Sequence, residues 1–250
     1  MKKNLILFAS LLMFAVGCKC THKNPNLVEA ELYTMSDSLY MENEYEDGYS
    51  YYTANLDVPI TENDSLRLNI LHWILSDETE DYEEYLQTDK NRFFEEEGNE
   101  PGSLLESNYS LTEQTDHYVT YVAEGYVYTG GAHTIPWYYG ASFSKIDGSI
   151  VGYDMFTDPE QLVVIIQAHL QDQQLENYDL IEEMEETSPE TNLILPVNEP
   201  WIETDSIVFC YQAYEIAPYG SGRPLCKISK DELWPYMSEK GKSLFTNPQP

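Results

Sequence analysis

Two short segments of this chain hold the side chains best placed to touch another molecule. One is Tyr128-Thr-Gly-Gly-Ala-His133, a histidine behind a glycine pair. The other is Pro218-Tyr219 inside the turn-rich run Ala217-Pro-Tyr-Gly-Ser-Gly222. Gly130 and Gly131 permit backbone geometries that other residues resist, so His133 can sit at the tip of a turn. It can donate there to a ligand or bond a neighbouring carbonyl. No second catalytic group lies nearby in the chain, so the structural role is favoured. Tyr126, Tyr128, Trp137, Tyr138 and Tyr139 flank the turn. They can form a flat platform for sugar rings or a protein partner, although half of any strand's aromatics must face the core.

Other chemistry finds little support. The chain carries no Gly-x-Ser-x-Gly elbow, phosphate loop, dinucleotide fingerprint or His-Glu-x-x-His pair. His22, His72, His117 and His169 are scattered, without metal-ligand spacing. The acids bunch, as in Glu95-Glu-Glu97, whereas a calcium loop alternates them around a glycine. No metal and no cofactor are expected. A wall-glycan hydrolase remains the alternative, and would need two carboxylates about 5–10 Å apart in a cleft.

The first residues point to export. Lys2 and Lys3 precede an apolar run from Leu5 to Val16, closed by Ala15-Val16-Gly17-Cys18. That run is short of the ~20 residues a spanning helix needs, and its layout is that of a secretory signal. The cysteine after Val-Gly adds a bacterial lipoprotein signature, with Cys18 the lipidated residue. The expectation is a periplasm-facing protein held to its membrane by lipid on Cys18. Residues 1–17 read as the signal, 18–47 as an acidic tether, 48–142 and 143–240 as two modules, and 241–250 as a tail.

Residues 18–250 carry 11 basic against 44 acidic groups, a net charge near −33. Such a charge argues against nucleic acid and against docking on anionic lipid, and it would speed encounters with a cationic partner. The 42% apolar content, with 21 tyrosines, excludes a disordered acidic tail. Cys210 and Cys226 sit symmetrically about residue 218, and a regular hairpin would set them face to face as a disulfide. A one-residue register shift would put the thiols on opposite faces.

Periodicity supplies the elements that must position these groups. Tyr49, Tyr51 and Thr53 alternate with Tyr52, Ala54 and Leu56 in a strand from Gly48 to Val58. A helix capped by Asp64 carries the stripe Leu66, Ile70, Trp73 and Ile74, and an acidic helix follows from about Thr79 to Glu96. Strands are predicted near 104–112, 117–128, 137–143, 207–216 and 225–228. Asp147-Gly148 suits a type I′ hairpin. Asp158-Pro159 opens a helix with Leu162, Ile165, Ile166, His169 and Leu170 on its inner side, and Ser229-Lys-Asp-Glu232 is a capping box. Strands and helices are segregated, without βαβ alternation, so the fold class is α+β.

Three motifs in order carry a resemblance. They are Tyr128-Thr-Gly-Gly-Ala-His133, the Asp-Gly hairpin leading to Asp154-Met-Phe156, and Phe209-x-x-x-x-Tyr214-Glu-Ile-Ala-Pro-Tyr-Gly220 with Ile228 and Leu233 beyond. The chain resembles, over about residues 48–240, the paired domains of unknown function in the outer part of the lysozyme-sensing anti-sigma factor RsiV. Similar domains accompany the peptidoglycan deacetylase PdaC. The resemblance implies a binding module whose partner is a cationic wall-degrading enzyme such as lysozyme, or peptidoglycan. Neither anti-sigma nor deacetylase activity carries over, since the regions responsible have no counterpart in these motifs. A non-catalytic envelope lipoprotein is therefore expected, with a purely structural envelope protein as a further alternative.

Overall fold

The computed structural model describes residues 27–42, 47–76, 79–172, 194–216 and 218–245. Cys18, Cys20, His22, the signal, the tether's basic start, Ala217 and the acidic run 182–186 lie outside the described residues. Two antiparallel-rich sheets with a few helices make the fold α+β, as the sequence predicts.

Alternation builds the first sheet. Strand β2 (Gly48–Ile60) buries Tyr52, Ala54 and Leu56 fully and leaves Tyr49 and Tyr51 outside. It lies between β1 (Glu29–Met41) and β3 (Leu104–Gln114), and β4 (Tyr118–Tyr128), β5 (Ile135–Ser144) and the short β6 (Ile150–Val151) complete the order β1-β2-β3-β4-β5-β6. Strand β1 corrects the tether reading. Residues 29–41 pair along their whole length with β2, from Glu29 opposite Ile60 to Met41 opposite Gly48.

A second correction is topological. Strands β2 and β3 run parallel, joined by a crossover that carries helices α1 (Asp64–Ile74) and α2 (Tyr82–Arg92). Parallel neighbours need such a crossover because a tight turn cannot reverse the chain twice. Asn63, not Asp64, caps α1 by accepting from the Leu66 amide at 3.1 Å. Its face Leu66, Ile70, Leu71 and Ile74 packs with Leu86 of α2 and Phe93 against Tyr52, Val119, Tyr121, Ala141 and Phe143. The predicted module boundary at 142/143 falls inside β5 and so divides no domains.

The Asp147-Gly148 turn also differs from expectation. Gly148 alone has positive φ (77°), and its amide reaches the Ser144 carbonyl at 2.8 Å, closing a four-residue loop instead of a type I′ pair.

Strands β7 (Trp201–Glu203), β8 (Ser206–Cys210) and β9 (Leu225–Ser229) form the second sheet. One face packs Ile202, Ile207, Phe209 and Cys226 against Leu162, Ile166 and Leu170 of α3 (Leu162–Asp172) and against Leu233, Met237 and Leu244. The other face, with Trp201, Val208 and Cys210, meets Val122 and Tyr138 of the first sheet. The layers are thus helix, sheet, sheet, helix. Gly140 makes the sheet-to-sheet contact close, since a Cβ there would lie 2.6 Å from the Trp201 ring. A buried polar network ties the sheets beside it. The Thr120 hydroxyl donates to the Ile202 carbonyl at 3.0 Å and shares a 2.8 Å bond with Ser142 Oγ, which accepts from the Ile202 amide at 2.9 Å.

Register decides the cysteines. Phe209 lies opposite Cys226 and Cys210 opposite Leu225, so the two thiols point to opposite faces and both are free. The predicted disulfide does not form, because the hairpin is centred half a residue before position 218.

Candidate functional site

The turn from β4 into β5 runs from residue 129 to 134. Gly130 and Gly131 both hold φ of 99°, a left-handed value that side chains resist, although a Cβ at either would meet nothing within 4 Å. The glycine requirement is therefore torsional. The Tyr128 hydroxyl donates to the Gly131 carbonyl at 3.1 Å and braces the turn. His133 Nδ1 lies 2.9 Å from the Thr134 carbonyl. A carbonyl only accepts, so a neutral ring carries its proton on Nδ1 and leaves Nε2 as acceptor.

That acceptor faces the other predicted segment. The Tyr214 hydroxyl stands 3.3 Å from His133 Nε2, and the Tyr219 ring stacks on the imidazole with centroids 3.6 Å apart and planes 13° from parallel. Tyr214 and Tyr219 are themselves 5.8 Å apart. The structure thus brings Gly130, Gly131 and His133 together with Pro218 and Tyr219, which are about 86 residues away in the chain. Pro218 sits exposed at the start of the short turn Tyr219–Ser221. The expected bond from His133 to a neighbouring carbonyl is present, and it leaves the ring free to stack.

The second loop is held by its own polar side chains. Tyr214 has φ of 69°, a conformation that costs a bulky residue about 1–3 kcal/mol. The Glu215 carboxylate offsets this by accepting from the Gln212 and Val197 amides, each at 2.7 Å. Gln212 then reads the edge of β5 like a strand, accepting from the Tyr138 amide at 3.2 Å and donating to the Tyr138 carbonyl at 2.7 Å. Tyr214 is 62% exposed, so the loop presents its ring outward.

Beside this patch, Pro136, Ala213, Tyr219, Gly222 and Arg223 surround a shallow cavity of about 360 Å³. The Arg223 guanidinium lies 5.5 Å over the Tyr138 ring, and burial, helped by Glu203, pushes the Tyr138 phenol above its usual range. The five flanking aromatics divide as strand geometry requires. Tyr126, Tyr128 and Tyr138 share one face of the first sheet, while Trp137 lies over Gly125 and Tyr139 packs edge-on to Trp73 on the other.

The remaining groups take structural places. His169 pairs with Glu232 at 3.0 Å. Burial pushes the Cys210 thiol up to about 11 and Cys226 to about 12, the reverse of an activated thiolate. Among the described residues no cluster of three or more His, Cys, Asp or Glu could hold a metal ion. No helix among them is long and apolar enough to cross a membrane. Sequence reasoning passed over Tyr214, Gln212 and Arg223 as site residues. Tyr214 stood inside a quoted motif, but nothing in a tyrosine's identity signals a left-handed backbone.

The fold and its loop patch define a two-sheet α+β domain built to present side chains from the rim of one sheet and a loop of the other. Residues 153–231 match the model of a family described as a protein of unknown function (DUF3298), a stretch that includes Tyr214, Pro218 and Tyr219 but not His133. A DUF3298 family protein from Bacteroides fragilis NCTC 9343 is similar in fold, with a TM-score of 0.66 at 20% identity over 87% of this chain and 96% of its own. Another from Pseudomonas aeruginosa PAO1 has a TM-score of 0.61 at 18% identity, over 88% of this chain and 98% of its own. No curated protein matches the chain.

Proposed function

We propose that the protein is a non-catalytic envelope lipoprotein, anchored through Cys18, that binds a cationic protein partner of the lysozyme class through the His133–Tyr214–Tyr219 patch. The stacking of His133 on Tyr219 at 3.6 Å carries this reading, because it fuses the two segments into one surface. Rigid aromatic groups at a loop rim are the residue types that anchor protein interfaces. The formal charge of −31 suits a cationic partner by steering its approach. The resemblance to the lysozyme-sensing domains of RsiV supports the partner class.

The test is calorimetric titration of the purified chain with hen lysozyme at low and at physiological salt. Saturable binding that persists at physiological salt supports the reading. Binding that vanishes there would be charge attraction alone, since exposed charges are screened over about 8–10 Å, and would sink it.

A further inference from the structure

We propose that the open face of the first sheet is a second binding site, apart from the His133–Tyr219 patch, and that it takes an extended, neutral polysaccharide strand. The second sheet covers this face at the β4–β5 end, around Val122 and Tyr138, and reaches the end of β3, where Glu113 accepts from the Thr204 amide. Beyond it, among the described residues, the face stays open across β1, β2 and the start of β3. Tyr40, Tyr49 and Tyr51 stand there 50%, 48% and 52% exposed. Their rings form one cluster, Tyr40 edge-on to Tyr49 at 5.2 Å and 63°, and Tyr49 tilted by 35° to Tyr51 at 6.2 Å. Aromatic faces of this kind pack against the C–H side of a pyranose ring.

A polar ladder crosses the strands on the same face, at Asn55, four residues along β2 from Tyr51. The Thr34 hydroxyl donates to Asn55 Oδ1 at 2.8 Å, and Asn55 Nδ2 donates to Asn108 Oδ1 at 2.7 Å. Asn108 Nδ2 reaches Glu106 Oε1 at 3.4 Å, and the Tyr126 hydroxyl donates to Glu106 Oε2 at 2.9 Å. Thr34, Asn55 and Asn108 place one polar group on each of three neighbouring strands, a repeat of about 4.7–4.9 Å, comparable to the length of one pyranose, and Glu106 stands beside Asn108 on the third. Hydroxyl, amide and carboxylate groups so spaced can exchange hydrogen bonds with successive sugar hydroxyls.

Charge selects among occupants. Register places Leu32, Thr34, Ser36, Ser38 and Tyr40 of β1 on this face, opposite Asp57, Asn55, Thr53, Tyr51 and Tyr49 of β2. A chain with 44 acidic groups thus keeps acids off the outward row of β1 from Leu32 to Tyr40, where a merely solvated edge strand would be charged. No lysine or arginine points to this face from the paired parts of β1, β2 or β3. Sulfated, phosphorylated or uronic polymers would meet Asp57, Glu106 and Glu124 on this face, with Asp47 and Glu42 beside Tyr40, and be repelled. A second copy of the chain would bring another charge of −31 against the first. A neutral glycan meets neither objection.

The test is calorimetry of the full chain with chitohexaose and with cellohexaose, and with a galacturonic acid hexamer as the anionic arm. We expect saturable binding of at least one neutral hexamer and none of the anionic one. Tyr49→Ala and Tyr51→Ala should each weaken it about tenfold or more. Tyr51→Phe, which keeps the ring, should restore most of the affinity, and Tyr219→Ala should leave it unchanged. Both tyrosines are half exposed, so the variants should melt like the parent. Absence of saturable binding for both neutral hexamers would overturn the proposal, as would affinity indifferent to Tyr49→Ala and Tyr51→Ala or preference for the anionic hexamer. Concentration-dependent dimerisation abolished by Tyr51→Ala would overturn it in favour of a second copy. Because Tyr219→Ala probes the other surface, this site and the lysozyme reading fail independently.

Discussion

Replacing Gly140 with alanine should wedge the two sheets apart. The added methyl would lie 2.6 Å from Cγ and Cδ2 of Trp201 and 2.9 Å from Cε2. Ordinary contact begins near 3.4 Å, so close to an ångström of clearance must be found. Rotation of the side chain offers no relief, because the ring is packed between the sheets against Val122, Val208 and Tyr138. Trp201 is 1% exposed and belongs to β7, which is paired to β8. The strand itself must therefore shift, and overpacking of this kind costs about 1–3 kcal/mol. Urea unfolding followed by tryptophan fluorescence would read the loss as a lower midpoint at unchanged slope. Trp201→Ala alone should cost about 3–5 kcal/mol. In that background Gly140→Ala should be close to neutral, because the clashing ring is gone. A cost below about 0.5 kcal/mol in the parent, or an equal cost in both backgrounds, would refute the reasoning.

Three further outcomes follow from the same structure. Thr120→Val should destabilise by about 1–3 kcal/mol in chemical denaturation, since it leaves the Ile202 carbonyl and the Ser142 hydroxyl proton buried without their partner. The thiols should resist iodoacetamide in the folded protein at pH 8 and react on unfolding. Their folded pKa values, about 11 and about 12, lie above the ordinary 9.0, so their contribution to stability is complete below pH 9. It is lost as pH rises toward 11–12, and Cys210→Ala with Cys226→Ala should flatten that part of the pH–stability curve. Deleting residues 27–41 should lower the melting temperature and promote association, because it strips β1 from β2 and exposes a 13-residue strand edge.

Where hydrophobic alternation was strong, the sequence announced the structure. The alternation read in β2 is real, with Tyr52, Ala54 and Leu56 turned to the core, and Leu66, Ile70 and Ile74 of the α1 stripe are buried as their spacing predicts. Strand β1 was hidden because its inward residues are only half buried and are interrupted by Glu31 and Asp37. Edge strands carry weak patterns, and the polar start of the tether masked this one. The parallel β2–β3 pairing could not be read from composition, since local hairpin signals say nothing of a crossover. Turn chemistry marked Gly130–His133 and Pro218–Tyr219 separately. Their meeting depends on the Gly140–Trp201 sheet contact and on Gln212 gripping Tyr138, both long-range features.

The most direct test of the central claim is a double-mutant cycle on lysozyme binding with His133→Ala, Tyr219→Ala and the pair, at physiological salt. If the stacked rings form one surface, each single variant weakens binding about tenfold or more and the pair loses little beyond either alone. Losses that simply add, or full affinity in Tyr219→Ala, would contradict the account.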